Sequence, residues 1–275
     1  MMRLSSNKLT YNPSHKIEEI ISNYPQSSIS LEELWQLMDE VWDYLECDAI
    51  NINIEKINSF YSHPIWLLNG LFIEKDEISI QQKSAIANWI YARNNEIISI
   101  VDYGGGFGTL ARLIADKHTD FVIDIYEPHP SQIAINKTNS YTNVNFINSL
   151  NRQYNCLVST DVLEHVVDPL SLLAEMIKSV QLGGYLIISH CFYPVIKCHL
   201  PTTFHLRYTF TQFAKVMGLD VIETCAGSFA TVYKKSKEQS IEWNKIRALE
   251  KISKALFPFF WIAAVSSRGL RKRIK

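Results

Sequence analysis

The sequence predicts an α/β fold: a mostly parallel sheet with one antiparallel strand from a C-terminal hairpin, preceded by a helical extension and followed by a basic tail. Three observations carry this reading. From Ile97 to about residue 190, short apolar runs alternate with stretches of helical period, the pattern of βαβ units whose strands are buried on both faces. A glycine-rich segment, Gly104-Gly105-Gly106-Phe107-Gly108, joins the first such run to the first such helix. Two β-rich runs, 220–224 and 228–233, are separated by Ala226-Gly227 and read as a hairpin.

Taken in order, residues 1–95 form a helical extension, from the apolar spacing of Leu31, Leu34, Met38, Val41, Trp42 and Leu45 behind a capping box, Ser30 and Glu33. Ser79 and Gln82 repeat that box before Ala85, Ile86, Trp89 and Ile90. The aromatic, Pro-broken stretch Phe60–Trp66 reads as a packed connector or part of a lid. Strands are expected at 97–102, 121–126, 143–147, 155–160 and 184–190, with helices near 107–117, 131–139 and 169–181. The last of these starts with Asp168 as N-cap and Pro169 at the first helical position and stops at Gly183-Gly184. A further helix, Phe210–Met217, opens with the box Thr209/Gln212 and closes at Gly218. The expected division is therefore 1–95, 96–236 and a tail at 237–275.

Composition removes several function classes. At 275 residues and 47% hydrophobic content the chain buries a full core, and a formal net charge of −1 gives no overall pull toward nucleic acid. Cys47, Cys156, Cys191, Cys198 and Cys225 are scattered and lack C-x-x-C pairs, against a disulfide framework or a thiolate zinc site. The polar stretch Met1–Ser14 lacks the apolar core of a secretory signal, so a cytoplasmic location is expected.

Glycines belong in the loop after the first strand for a physical reason. A tight strand-to-helix turn needs positive φ, and a missing Cβ lets a ligand approach backbone N–H groups at a helix start. A dinucleotide fingerprint wants Gly or Ala at position 109; this chain has Thr109 and places its glycine at 108, giving GxGxG. With Asp102 before it and Glu127 ending the second strand about 20 residues on, the segment resembles the first motifs of class I S-adenosylmethionine-dependent methyltransferases. That resemblance implies a Rossmann-like sheet and S-adenosyl-L-methionine as cofactor. It assigns the cofactor to Asp102, Gly104, Gly106, Gly108 and Thr160, its ribose to Glu127 and its adenine to Asn148.

A second block, Asp161-Val162-Leu163-Glu164-His165 through Asp168-Pro169 to Leu182-Gly183-Gly184, is similar to that of bacterial small-molecule methyltransferases, ubiquinone-type O-methyltransferases included. Similarity covers residues 97 to about 233. Carboxyl ends of parallel strands face the ligand crevice, so Asp161, Glu164 and His165 should stand beside the sulfonium. The run His205–Phe213 resembles a segment that supplies a second histidine to a divalent ion in small-RNA 2'-O-methyltransferases and some quinone methyltransferases. Carried over, Asp161, Glu164, His165 and His205 would hold Mg²⁺ or another divalent cation. Without a metal, His165 or His205 acts as general base, with Glu164 in the catalytic set. His190, Cys191, Cys198 and His199 read as pocket lining or loop.

The expected activity is O-methylation of a hydroxylated small molecule, sugar or glycan end, with no nucleic-acid partner. The alternatives are an N-methyltransferase, a nicotinamide-dependent reductase and a non-catalytic binding module. Tyr193 and Lys197 have the reductase spacing, but Pro194 and Thr109 count against it. In the tail, the apolar run Ala255–Val265 is interrupted by Pro258 and precedes Arg268, Arg271, Lys272, Arg273 and Lys275. Eleven apolar residues are too few to span a bilayer, which takes about 20, so two readings stand: peripheral contact with the inner membrane surface, or packing on the domain or a partner helix.

Overall fold

The computed structural model describes residues 12–24, 26 and 28–273, with side chains as far as Trp261. Two compact units divide them: the residues up to Phe72 together with Ile196–Cys198, and Ile73–Val195 together with His199 onward.

In the first unit, polar side chains set the helix starts. Asn12 caps α1 (Pro13–Ser22), Ser30 and Glu33 form the expected capping box on α2 (Leu31–Tyr44), and Asn53 caps α3 (Ile54–Tyr61). Leu34, Leu37, Met38, Val41 and Trp42 fall on one face of α2 and are buried. The aromatic connector runs from α3 into α4 (Ile65–Ile73) and sends Phe60 into the core, fully buried, with Trp42 and Trp66 edge-on at 5.1 and 5.6 Å.

The second unit opens with α5 (Glu77–Tyr91), capped by Asp76, which accepts from the Ser79 N–H; Ser79 itself lies inside the helix rather than at its cap. Ile86, Ala87, Trp89 and Ile90 bury their side chains in the same cluster as the sheet residues Ile100 and Ile123. Trp89 Nε1 and Arg93 Nη2 both donate to Glu223 Oε1, at 2.7 and 2.9 Å. That packing explains why the chain divides at Ile73, where the sequence suggested a boundary near residue 95.

Seven strands follow: β1 (Ser99–Tyr103), β2 (Val122–Tyr126), β3 (Val144–Ile147), β4 (Tyr154–Thr160), β5 (Val180–Ser189), β6 (Leu219–Thr224) and β7 (Thr231–Lys235). They form one sheet in the order β3-β2-β1-β4-β5-β7-β6. All neighbours through β5 are parallel, and β7 runs antiparallel to both β5 and β6. Strand period sends alternate residues to opposite faces. Ile100, Val158, Ile187 and Val232 join α5 and α6 (Thr109–Ala115) on one side; Val101, Leu157, Leu186 and Tyr233 join α8 (Pro169–Ser179), α9 (Leu206–Val216) and α10 (Trp243–Arg273) on the other. The remaining helix, α7 (Gln132–Thr138), links β2 to β3.

Three boundaries depart from the sequence reading. The helix after Asp168 stops at Ser179, and Gly183-Gly184 lie inside β5, because Val180 already pairs with Tyr154. α9 begins at Leu206, one turn before the Thr209/Gln212 box. α10 continues through Pro258, which has no N–H to offer the preceding turn.

Candidate active site

Strand order reverses between β1 and β4, so the loops leaving their carboxyl ends flank a crevice, the usual ligand position in such sheets. The register keeps those ends level: Tyr103 lies opposite Tyr126 on one side and Ser159 on the other.

On the β1 side the loop is shaped by its glycines. Gly104 has φ +73° and a Cβ there would collide with the Val162 side chain after β4, so only glycine lets these two loops close up. Gly106 has φ +50° and nothing within 4 Å of where a Cβ would stand. Its N–H donates to Glu127 Oε2 at 3.0 Å, while Oε1 accepts from the His129 N–H at 3.1 Å. A carboxylate offers about four lone-pair directions, so Glu127 keeps acceptor capacity for two vicinal hydroxyls. Asp102 is buried beneath the loop and its Oδ2 has no hydrogen-bond partner. Burial raises its pKa to about 6; Lys83 pulls it down and Glu127 adds to the rise. An open backbone position, an orphaned buried carboxylate oxygen and a half-buried Glu fit a cationic amino-acid nucleoside such as S-adenosylmethionine. Of the other expected cofactor residues, Gly108 is the N-cap of α6 at φ +69°, where a Cβ would meet Ile125 Cδ1 at 2.9 Å. Thr160 ends β4 half-buried, and Asn148 is exposed just past β3.

On the β4 side, Asp161 takes φ +55°, a conformation uncommon outside glycine, and turns the chain into a single 3₁₀ turn, Leu163–His165. Glu164 is fully buried there. Its Oε1 accepts from the Cys191 N–H at 2.6 Å and its backbone carbonyl from the Leu200 N–H at 2.9 Å, which ties the turn to the long loop after β5. Its Oε2 has no partner. Burial first, and then the charge of Asp161, holds the Glu164 carboxyl well above the usual range.

The tied loop brings in a residue read from sequence only as lining. Glu164, His165 and His199 offer ligand atoms that all lie within 4.8 Å of one another. The two imidazoles stand nearly perpendicular, ring centres 4.8 Å apart. His199 Nδ1 lies 2.7 Å from the Tyr193 carbonyl oxygen. A carbonyl only accepts, so Nδ1 carries a proton and Nε2 is the ring atom left for a ligand.

His205, expected in that set, is placed elsewhere. It precedes α9 and is buried with Nδ1 2.8 Å from Ser253 Oγ on α10. Burial, then Lys254, lowers its pKa to about 4 against the pull of Glu250. The ring is therefore neutral, and its 3.9 Å approach to Glu250 is no ion pair; Glu250 is held by Arg247 and Lys254. Among the described residues, the cluster with metal-ligand geometry is Glu164, His165 and His199, without His205 or Asp161. His190 stacks on Phe192 at 4.2 Å, and burial lowers its pKa to about 4. Tyr193 and Lys197 lie in a segment without helix; Tyr193 stacks on Arg207 and Lys197 pairs with Asp43.

A GxGxG loop after β1, an acid after β2 and an acid-histidine turn after β4, carried on a sheet of this order, define a class I methyltransferase, an S-adenosylmethionine-dependent enzyme. The chain belongs to the methyltransferase-domain family, whose model matches residues 78–217, half of its length. That match begins in α5, earlier than the motifs alone indicated, consistent with α5 packing on the sheet. No curated protein sequence matches the chain. Among solved structures it is similar to the mitomycin 7-O-methyltransferase MmcR, at 12% identity over 82% of this chain and 73% of that one, TM-score 0.52. It is also similar to the CurJ carbon methyltransferase, at 12% identity over 82% and 72%, TM-score 0.52. Human N-acetylserotonin methyltransferase, solved with its cofactor, gives 14% identity over 86% and 75%, TM-score 0.50. At these identities the likeness speaks for the fold.

Proposed function

We propose that the enzyme methylates a hydroxyl group of a small molecule, sugar or glycan end, with His165 as the proton acceptor. The observation that carries this is the buried cluster of Glu164, His165 and His199 at the reacting end of the crevice. When bound, S-adenosylmethionine supplies a methyl group on a cationic sulfur. Transfer to an acceptor oxygen would break the carbon–sulfur bond, return its electron pair to sulfur and leave the hydroxyl proton for a residue of this chain to remove. The half-buried His165 takes that proton. Glu164, whose Oε2 lacks a partner, gains one when the neighbouring imidazole becomes cationic. A neutral amine already carries a free lone pair, so it needs a base less than a hydroxyl does.

Transfer of labelled methyl to paired hydroxyl and amine acceptors tests this reading. Hydroxyl acceptors should be labelled, and His165→Ala should lower kcat by about 100-fold with cofactor affinity unchanged. Labelling of amines alone, or an undiminished His165→Ala enzyme, would overturn it.

The same cluster supports a second reading, a divalent cation. One carboxylate and two imidazoles suit Zn²⁺ or Mn²⁺ better than Mg²⁺, which prefers oxygen ligands. Glu164, His165 and His199 would hold it, and it would lower the pKa of an acceptor hydroxyl. Calorimetric titration with Mn²⁺ and Zn²⁺ should give heat that Glu164→Gln abolishes; no heat from either ion removes this reading.

A further inference from the structure

The middle of α10 carries an apolar stripe that the domain does not cover. Ile246, Ser253 and half-buried Glu250 and Phe257 face the domain, Ser253 reaching His205 and Ile246 joining the core. About 130° around the helix stand Ile252, Leu256 and Phe259, at spacings of four and then three residues, 55%, 42% and 69% exposed. Phe260, partly exposed, leans toward Tyr208, and Trp261 turns to the domain side against Phe257 and Arg207. An apolar stripe this open, on a helix already fixed by its other face, marks an interaction surface.

Charge says what covers it. From Lys251 to Lys275 the sequence holds seven cations, Lys251, Lys254, Arg268, Arg271, Lys272, Arg273 and Lys275, and no Asp or Glu. The last five fall on residues whose side chains lie outside those described. An apolar, aromatic face within an all-cationic stretch complements an anionic lipid surface, where acyl chains take the rings and headgroups the charges. Among the described residues no helix is long and apolar enough to cross a membrane, so the helix would lie in the surface. We propose that α10 docks this enzyme on anionic bilayers. Because Arg247 binds Asp168, the N-cap of α8, and Ser253 binds His205, a docked α10 is joined directly to the elements behind the reacting end of the crevice.

Flotation of the full chain with vesicles tests the proposal, comparing pure phosphatidylcholine with phosphatidylcholine containing 30% phosphatidylglycerol. Binding should appear only with the anionic vesicles and weaken at high salt. Phe259→Ser with Phe260→Ser, both exposed, should lower it about tenfold, as should Arg271, Lys272 and Arg273→Gln, each with cofactor binding unchanged. Equal flotation with both lipids, no flotation, or undiminished binding by the aromatic variant overturns it. So does a dimer in solution that Phe259→Ser with Phe260→Ser dissolves, since the stripe would then meet a second copy.

Discussion

Burial governs Asp102 more than any charge near it. Its pKa stands at about 6 in the folded chain against 3.8 as the ordinary value, with desolvation the largest cause. The sign follows directly: between those values the unfolded chain has released the proton and the folded one has kept it, so stability falls as pH rises from about 4 through about 6. The full difference is about 3 kcal/mol. Chemical denaturation of Asp102→Asn should show a clearly flatter pH dependence over that window; an unchanged slope would mean that Asp102 is solvated or partnered. The histidines illustrate the limit of reading residues from sequence. His165 follows from its place after a parallel strand. The choice between His199 and His205 turns on side-chain direction, which the Glu164 bonds to Cys191 and Leu200 decide for one and Ser253, 48 residues away, for the other.

At the scale of elements, α10 is the piece with most to lose. It is attached through Arg247 to Asp168, through Ile246 to the core, and through Ser253 to His205 and Thr209. His205→Ala leaves a cavity and removes one of those bonds, so it should destabilise the fold by about 2 kcal/mol. Measured per folded molecule, methyl transfer should stay within a few-fold of the parent; a folded His205→Ala protein slowed about 100-fold would restore this histidine to the chemistry. Element starts marked by local chemistry were legible, as with Ser30/Glu33 on α2 and Asp168-Pro169 on α8. Where tertiary pairing competes with a local signal, the local signal gave way. Gly183-Gly184 punctuate no helix because β4 draws Val180 into the sheet, and Pro258 does not stop α10.

For the whole molecule, the alternation of apolar runs and helical periods was enough to specify the sheet, since strands buried on both faces admit few other arrangements. The hairpin then places β7 antiparallel between β5 and β6. Motifs far apart in sequence meet at one edge because each follows the carboxyl end of a parallel strand. What sequence hid was the extent of the sheet unit: α5 precedes every motif, and its attachment shows only in the burial of Ile86, Ala87, Trp89 and Ile90 with the sheet and in the bonds of Trp89 and Arg93 to Glu223. The central claim is that the crevice between β1 and β4 binds S-adenosylmethionine with Glu127 on its ribose. Calorimetric titration of the full chain and of Glu127→Ala measures this most directly. One cofactor per chain should bind, with affinity falling about 30-fold in the variant as roughly 2 kcal/mol of charge-assisted hydrogen bonding is lost. No binding, or equal binding by the two proteins, would contradict the account.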